Sequence, residues 1–129
     1  MTKSLPSIAV VDDDPAVLKG LTRLLRTRDF DASAYGSARE FLATLPDPPP
    51  ECLILDLQMP EMSGLDLLDH FKRNGIRIPT IVVTAHADGP LRALCEASGI
   101  VAFLPKPVED VALFAAIEAA RSGYAAAIN

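Results

Sequence analysis

The chain has 129 residues, half of them hydrophobic and 22% charged, which suits one globular domain with a core of its own. Its formal net charge is −5 and its pI is near 4.9, a balance that repels phosphate backbones and argues against direct nucleic-acid binding. No apolar stretch approaches the roughly 18 residues of a membrane span, and Met1-Thr-Lys-Ser-Leu-Pro lacks the apolar core of a secretion signal.

Ile8-Ala9-Val10-Val11 reads as a buried strand that runs into Asp12-Asp13-Asp14. From Pro15 to Arg28, Val17, Leu18, Leu21, Leu24 and Leu25 form one stripe of an amphipathic helix. Asp14 is placed as its N-cap, with proline at the first helical position. Ala32 to Tyr35 reads as a short strand, after which Ser37 caps a helix through Leu45, with Glu40 placed for a capping box. Asp47-Pro48-Pro49-Pro50 is a stiff extended connection. Cys52-Leu53-Ile54-Leu55 is the next strand and stops at Asp56. Leu65, Leu68 and Phe71 mark a third helix, ended by Asn74-Gly75. Ile81-Val82-Val83 stops at Thr84, and a fourth helix begins near Gly89-Pro90 and ends at Ser98-Gly99. Val101-Ala102-Phe103-Leu104 gives way to Pro105-Lys106-Pro107, and the last helix covers about Val108 to Arg121, stopping at Gly123. Cys52 in a strand and Cys95 in a helix fit no zinc or redox spacing and read as small packed thiols, so a reducing cytoplasm is the expected setting.

Strand and helix alternate five times, and the strands carry near-continuous apolar sequence, the mark of a sheet covered on both faces. The expected fold is α/β, a flavodoxin-like doubly wound (βα)5 with a five-stranded parallel sheet in order 2-1-3-4-5. In open α/β sheets ligands bind outside the carboxyl ends of the strands, where the winding reverses. Here that point lies between the strands ending in Asp12-Asp13-Asp14 and in Asp56. Each polar residue has an ordinary reading of its own: Asp14 as a cap, Thr84 as a β-branched strand end, Lys106 as a solvated turn lysine. Their joint occurrence at corresponding strand ends does not. Two carboxylates about 4 Å apart repel by roughly 4 kcal/mol at an effective dielectric of about 20. Clustering Asp12, Asp13 and Asp56 therefore requires a cation or shifted protonation, and an all-oxygen acidic site suits Mg²⁺. Asp56 is then free to attack a phosphoryl donor, with Lys106 neutralising the transferred oxygens.

The ordered set Val-Asp-Asp-Asp, Leu-Asp-Leu-Gln-Met-Pro-Glu-Met-Ser-Gly, Val-Thr-Ala and Leu-Pro-Lys-Pro resembles the receiver domain of two-component response regulators. The resemblance covers essentially the whole chain (core about 6–122), and Thr84-Ala85-His86-Ala87-Asp88 is similar to the nitrogen-fixation type of regulator. It implies that Asp56 accepts a phosphoryl group from a histidine kinase or a histidine phosphotransferase, in a two-component system or phosphorelay. It also implies that Asp13, Asp56 and the backbone carbonyl of Gln58 ligate Mg²⁺, with Asp12 acting mainly through water. Thr84 would bond the phosphoryl group after moving inward and Lys106 would pair with it, the Lys106-Pro107 bond being cis. Phe103 matches the family's aromatic switch position, against the plain alternative of core packing. Thr84 and Phe103 together would reshape the surface of the fourth helix, fifth strand and fifth helix. Gln58 and His86 occupy positions that the family uses to tune phosphoryl lifetime, against the plain alternative of an exposed histidine with no role, and Gly89-Pro90 departs from the usual start of the fourth helix.

The sequence ends at Asn129 just after the last helix, so the expectation is a stand-alone receiver, residues 1–129, without an output domain. Output would then be contact with a downstream protein target or phosphoryl relay, without membrane or nucleic acid. Val111 to Ala120 is apolar except Glu118, which leaves an outward apolar face or merely an alanine-rich helix. A monomer or weak phosphorylation-dependent homodimer is expected. Two other classes compete. A Mg²⁺-dependent phosphatase usually carries Asp-x-Asp at its nucleophile, whereas Asp56-Leu57-Gln58 lacks the second acid. An unphosphorylated binding module has no need of all of Asp12, Asp13, Asp56, Thr84 and Lys106. The chain thus reads as a signalling phosphoacceptor that promotes its own phosphorylation and dephosphorylation, rather than as an enzyme.

Overall fold

The computed structural model describes residues 5–45, 47–86 and 88–128, with side chains through residue 122. Among them β1 (Ser7–Val11), β2 (Asp31–Tyr35), β3 (Cys52–Leu55), β4 (Thr80–Thr84) and β5 (Ala102–Pro105) form one parallel sheet in the order β2-β1-β3-β4-β5. Five helices alternate with them: α1 (Pro15–Thr27), α2 (Ala38–Ala43), α3 (Gly64–Arg73), α4 (Gly89–Ala97) and α5 (Asp110–Ile128). The expected α/β architecture and strand order are therefore present. No helix of the described residues is long and apolar enough to cross a membrane.

The period of two along each strand sorts the core into two layers. Ile8, Val10, Ile54, Ile81 and Val83 meet Leu21 and Leu25 of α1 and Leu113 and Ile117 of α5. Their neighbours Ala9, Val11, Leu53, Leu55 and Val82 turn to the other face, against Phe41 of α2, Leu67, Leu68 and Phe71 of α3, and Cys95 of α4. Each fully buried Leu, Ile or Phe contributes roughly 1.5–3 kcal/mol. Both layers hold the sheet rigid beneath its strand ends.

Helix starts follow local chemistry. The Asp14 carboxylate accepts from the Ala16 amide, as expected for the cap of α1. At α2 Ser37 does accept from the Glu40 amide, but the Glu40 carboxylate takes the Gly36 amide instead of returning to Ser37, so the expected box is not closed. A reciprocal box does form at α3, between Ser63 and Asp66. α2 stops at Ala43, short of Leu45, with Thr44 as its C-cap. Gly75 and Gly99 follow the caps of α3 and α4 at φ +66° and +81°, where glycine carries no steric cost. α5 begins at Asp110, two residues later than read from sequence, and runs past Gly123 to Ile128. A helical glycine costs about 1 kcal/mol, too little to stop a helix that continues into an alanine run. The Lys106-Pro107 bond is cis, as the resemblance implied, and Asp47-Pro48 is cis as well.

Candidate functional site

β1 and β3 pair with Val11 opposite Leu55, so the residues that follow leave the sheet side by side. The ladder continues one step beyond both strands: the Asp12 amide donates to the Tyr35 carbonyl (3.1 Å) and the Asp56 amide to the Val11 carbonyl (3.0 Å). These bonds fix both backbones and bring oxygens of Asp12, Asp13 and Asp56 within 4.8 Å of one another. Asp12 and Asp56 are 2% and 5% exposed, whereas Asp13 faces solvent.

Lys106 completes the cluster from the turn that follows β5. Its Nζ lies 2.7 Å from Asp12 Oδ2 and 3.6 Å from Asp56 Oδ2. The second Asp12 oxygen accepts from the Asp14 amide at 2.9 Å, and Asp56 Oδ1 accepts from the Gln58 amide at 3.4 Å. Thr84 ends β4 opposite Pro105, and its carbonyl accepts the Lys106 amide at 2.9 Å. The Thr84 hydroxyl is fully buried and accepts from the His86 amide at 3.2 Å. Backbone bonds thus tie the hydroxyl and the ammonium to neighbouring strand ends.

Burial raises the pKa of Asp56, and the adjacent Asp12 carboxylate raises it further; Lys106 and the Gln58 amide only partly offset them. Burial alone would lower the pKa of Lys106, but its hydrogen bond to Asp12 and the charges of Asp56 and Asp12 leave it raised. One ammonium facing three carboxylates leaves excess negative charge around an all-oxygen donor set. That set fits a hard divalent cation of the Mg²⁺ class, which takes one or two carboxylates and keeps several waters.

The family model for the response regulator receiver domain matches residues 8–118. The chain belongs to the receiver family. This receiver is 39% identical over 121 residues to the transcriptional regulatory protein FixJ of Rhizobium meliloti, covering 94% of this chain and 59% of that protein. It is 41% identical over 114 residues to nodulation protein W of Bradyrhizobium diazoefficiens, covering 88% and 50%. The chain therefore spans about half to three fifths of the length of these curated relatives. The crystal structure of FixJ-N superposes with a TM-score of 0.82 at 38% identity, over 94% of this chain and 95% of that one. Receivers typically bind Mg²⁺ at an acidic pocket and interact with histidine kinases and downstream effectors; at the ends of β1 and β3 this chain gathers the acids Asp12, Asp13 and Asp56.

The receiver brings Asp12, Asp13, Asp56, Gln58, Thr84 and Lys106 to one edge of the sheet. His86 is exposed in the loop after β4. Phe103 is not in the acidic cluster: it is 7% exposed, opposite Val82 within the core, with the Arg92 guanidinium 5.6 Å from its ring centroid. Sequence reasoning missed the short Lys106–Asp12 pair, because spacing along the chain does not reveal which acid a lysine reaches. It also missed an apolar groove of about 470 Å³ beside Lys106, lined by Val17, Gly20, Leu21, Leu24, Pro107 and Val108. Its signal was Gly20, a mid-helix glycine at which an added Cβ would meet nothing within 4 Å.

Proposed function

We propose that this receiver is a phosphoacceptor switch in which Asp56 takes a phosphoryl group from a histidine kinase or histidine phosphotransferase. The observation that carries the reading is the buried Asp56 carboxylate held among Asp12, Asp13 and the Lys106 ammonium at 3.6 Å. An Asp56 oxygen attacks phosphorus, the P–N bond of the donor phosphohistidine breaks, and the imidazole leaves with the bonding electron pair and gains a proton. Asp12, Asp13, Asp56 and the Gln58 carbonyl would hold Mg²⁺, which supplies charge neutralisation at the transferred oxygens when bound. Lys106 shifts from the two carboxylates onto the phosphoryl group, and Thr84 donates its hydroxyl to it. Hydrolysis of the acyl phosphate resets the switch, with Gln58 and His86, each two residues beyond a site residue, setting access of water.

The added charge is nearly two units at the strand ends. Thr84 gives up the His86 amide to reach it, and movement of the loop after β4 is transmitted to α4 and Phe103. The surface of α4, β5 and α5 carries the exposed Leu94 (58%) and Val111 (83%), the face for a downstream protein target or a weak phosphorylation-dependent second copy. The groove beside Lys106 gives the apolar side of a donor helix a seat next to the acceptor. A cytoplasmic setting fits two free, buried cysteines, the Cys52 thiol being pushed up to about 12 by burial and by Glu51.

Incubation with acetyl phosphate, with and without Mg²⁺, followed by intact mass measurement tests the reading. One phosphoryl group that requires Mg²⁺ and is lost in Asp56→Asn supports it. Turnover of many phosphate esters would favour a phosphatase, and no incorporation from any donor would favour an unphosphorylated binding module.

A further inference from the structure

Gly64 is the first residue of α3, and its amide donates to the Leu57 carbonyl at 3.1 Å. A Cβ placed on it would lie 2.6 Å from the Asp56 carbonyl oxygen, 2.9 Å from Leu57 Cα and 2.8 Å from Leu57 Cδ2. Two of those three atoms are backbone and cannot swing aside as a side-chain tip would. Unlike Gly75 and Gly99, Gly64 does not have a positive φ. Its requirement is therefore for space against the acceptor's own backbone, not for an unusual conformation.

α3 is anchored by its Ser63–Asp66 box and by Leu67, Leu68 and Phe71 in the core. The segment 56–58 is held at its start by the Asp56 amide's bond to the Val11 carbonyl and by the buried Leu57 side chain, while at its end the Gln58 amide reaches Asp56 Oδ1 only at 3.4 Å. An added methyl group would force α3 and the segment 56–58 apart, with the weakly tied Gln58 end of that segment free to shift. We infer that Gly64 is a positioning residue: by letting α3 close onto the backbone at Asp56 and Leu57, it fixes the turn that aims the Asp56 carboxylate and Gln58 at one metal and phosphoryl site. This inference rests on the reading of Asp56 as the phosphorylated residue.

The test compares wild type, Gly64→Ala and Ile117→Val at a temperature where circular dichroism shows each folded. Ile117 is buried on the opposite face of the sheet and controls for lost stability. Loss of an outer support of a metal site typically costs about 10–100-fold in metal affinity or activity. Gly64→Ala is expected to show a rise of that size in the Mg²⁺ concentration giving half-maximal thermal stabilisation and a fall of that size in the rate of incorporation from acetyl phosphate. Metal-free Gly64→Ala should also exchange amide hydrogens faster over 56–58, while Ile117→Val keeps wild-type values in all three. If Gly64→Ala does not fold, Ser63→Ala removes the cap without adding an atom to the contact, and a shift of Mg²⁺ affinity in the same direction supports the role. Wild-type Mg²⁺ affinity and exchange in Gly64→Ala, or in Ser63→Ala in its place, overturns it. A wild-type protein that takes up no phosphoryl group refutes the reading of Asp56 instead, while Mg²⁺ affinity and exchange still report on the turn.

Discussion

Replacing Asp56 with Asn should stabilise the metal-free protein. The Asp56 carboxylate lies within 4.8 Å of those of Asp12 and Asp13 and 3.6 Å from the Lys106 ammonium. At an effective dielectric of about 20, each repulsion at that limit is about 3.5 kcal/mol and the attraction about 4.6 kcal/mol. Asp13 is exposed, so roughly half of its repulsion is lost to solvent. The charges then come out near balance, slightly against Asp56, and the cost of burying an ionised carboxylate is added to that. Asparagine keeps the shape and the acceptor for the Gln58 amide, so a gain of about 1–3 kcal/mol is expected, raising Tm by on the order of 4–10 °C for a chain of this length. The assay is thermal unfolding with a chelator present, across pH. Because burial and Asp12 raise the pKa of Asp56 above its ordinary 3.8, the folded state binds that proton more tightly than the unfolded chain. The penalty is absent below 3.8, grows through the window up to the raised value, and is complete above it, so the advantage of Asn opens as pH rises. Saturating Mg²⁺ should shrink the gap, since binding at about a hundredfold over Kd stabilises the wild type by about 2.7 kcal/mol. A metal-free Asp56→Asn protein that melts below wild type at neutral pH would show that the Lys106 attraction dominates and would refute the electrostatic account.

Lys106→Ala should slow phosphoryl incorporation by about a hundredfold, because a fixed charge at the transferred oxygens is removed, while Mg²⁺ still raises Tm; equal rates would remove Lys106 from the chemistry. Phe103→Ala should cost about 3–5 kcal/mol, since the ring is buried, so it is assayed well below its Tm. There it should accept the phosphoryl group but no longer change partner binding, and unchanged coupling would leave Phe103 as core packing alone. Gly20→Leu fills the groove beside Lys106, and it should slow transfer from a phosphohistidine protein far more than transfer from acetyl phosphate. A ratio equal to wild type would place the donor elsewhere.

The strand ends were legible because apolar runs and their polar stops are local features of the chain. Once five runs alternate with helices, the strand order and the edge on which Asp12, Asp13, Asp56, Thr84 and Lys106 gather follow from packing rules. Contacts that join distant segments were not legible in that way. Nothing in the order of residues says that Lys106 sits 2.7 Å from Asp12 and 3.6 Å from Asp56, since that depends on side-chain geometry across the sheet. The same limit hid the groove, whose walls come from α1 and from the turn after β5. Glu40 shows a finer failure: the pattern placed a capping carboxylate correctly in sequence, and the chain offered it the Gly36 amide instead. Gly64 stood within the motif that carried the resemblance, but only the backbone approach of α3 to Asp56 gives it a physical role.

The central claim is that Asp56, and no other acid in the cluster, becomes an acyl phosphate. The most direct measurement treats the Mg²⁺-loaded protein with acetyl phosphate, traps the acyl phosphate by borohydride reduction, and maps the reduced residue by peptide mass spectrometry. The account predicts reduction at residue 56 alone, dependent on Mg²⁺ and absent in Asp56→Asn. Reduction at Asp12 or Asp13, or phosphoryl uptake that persists in Asp56→Asn, would contradict it.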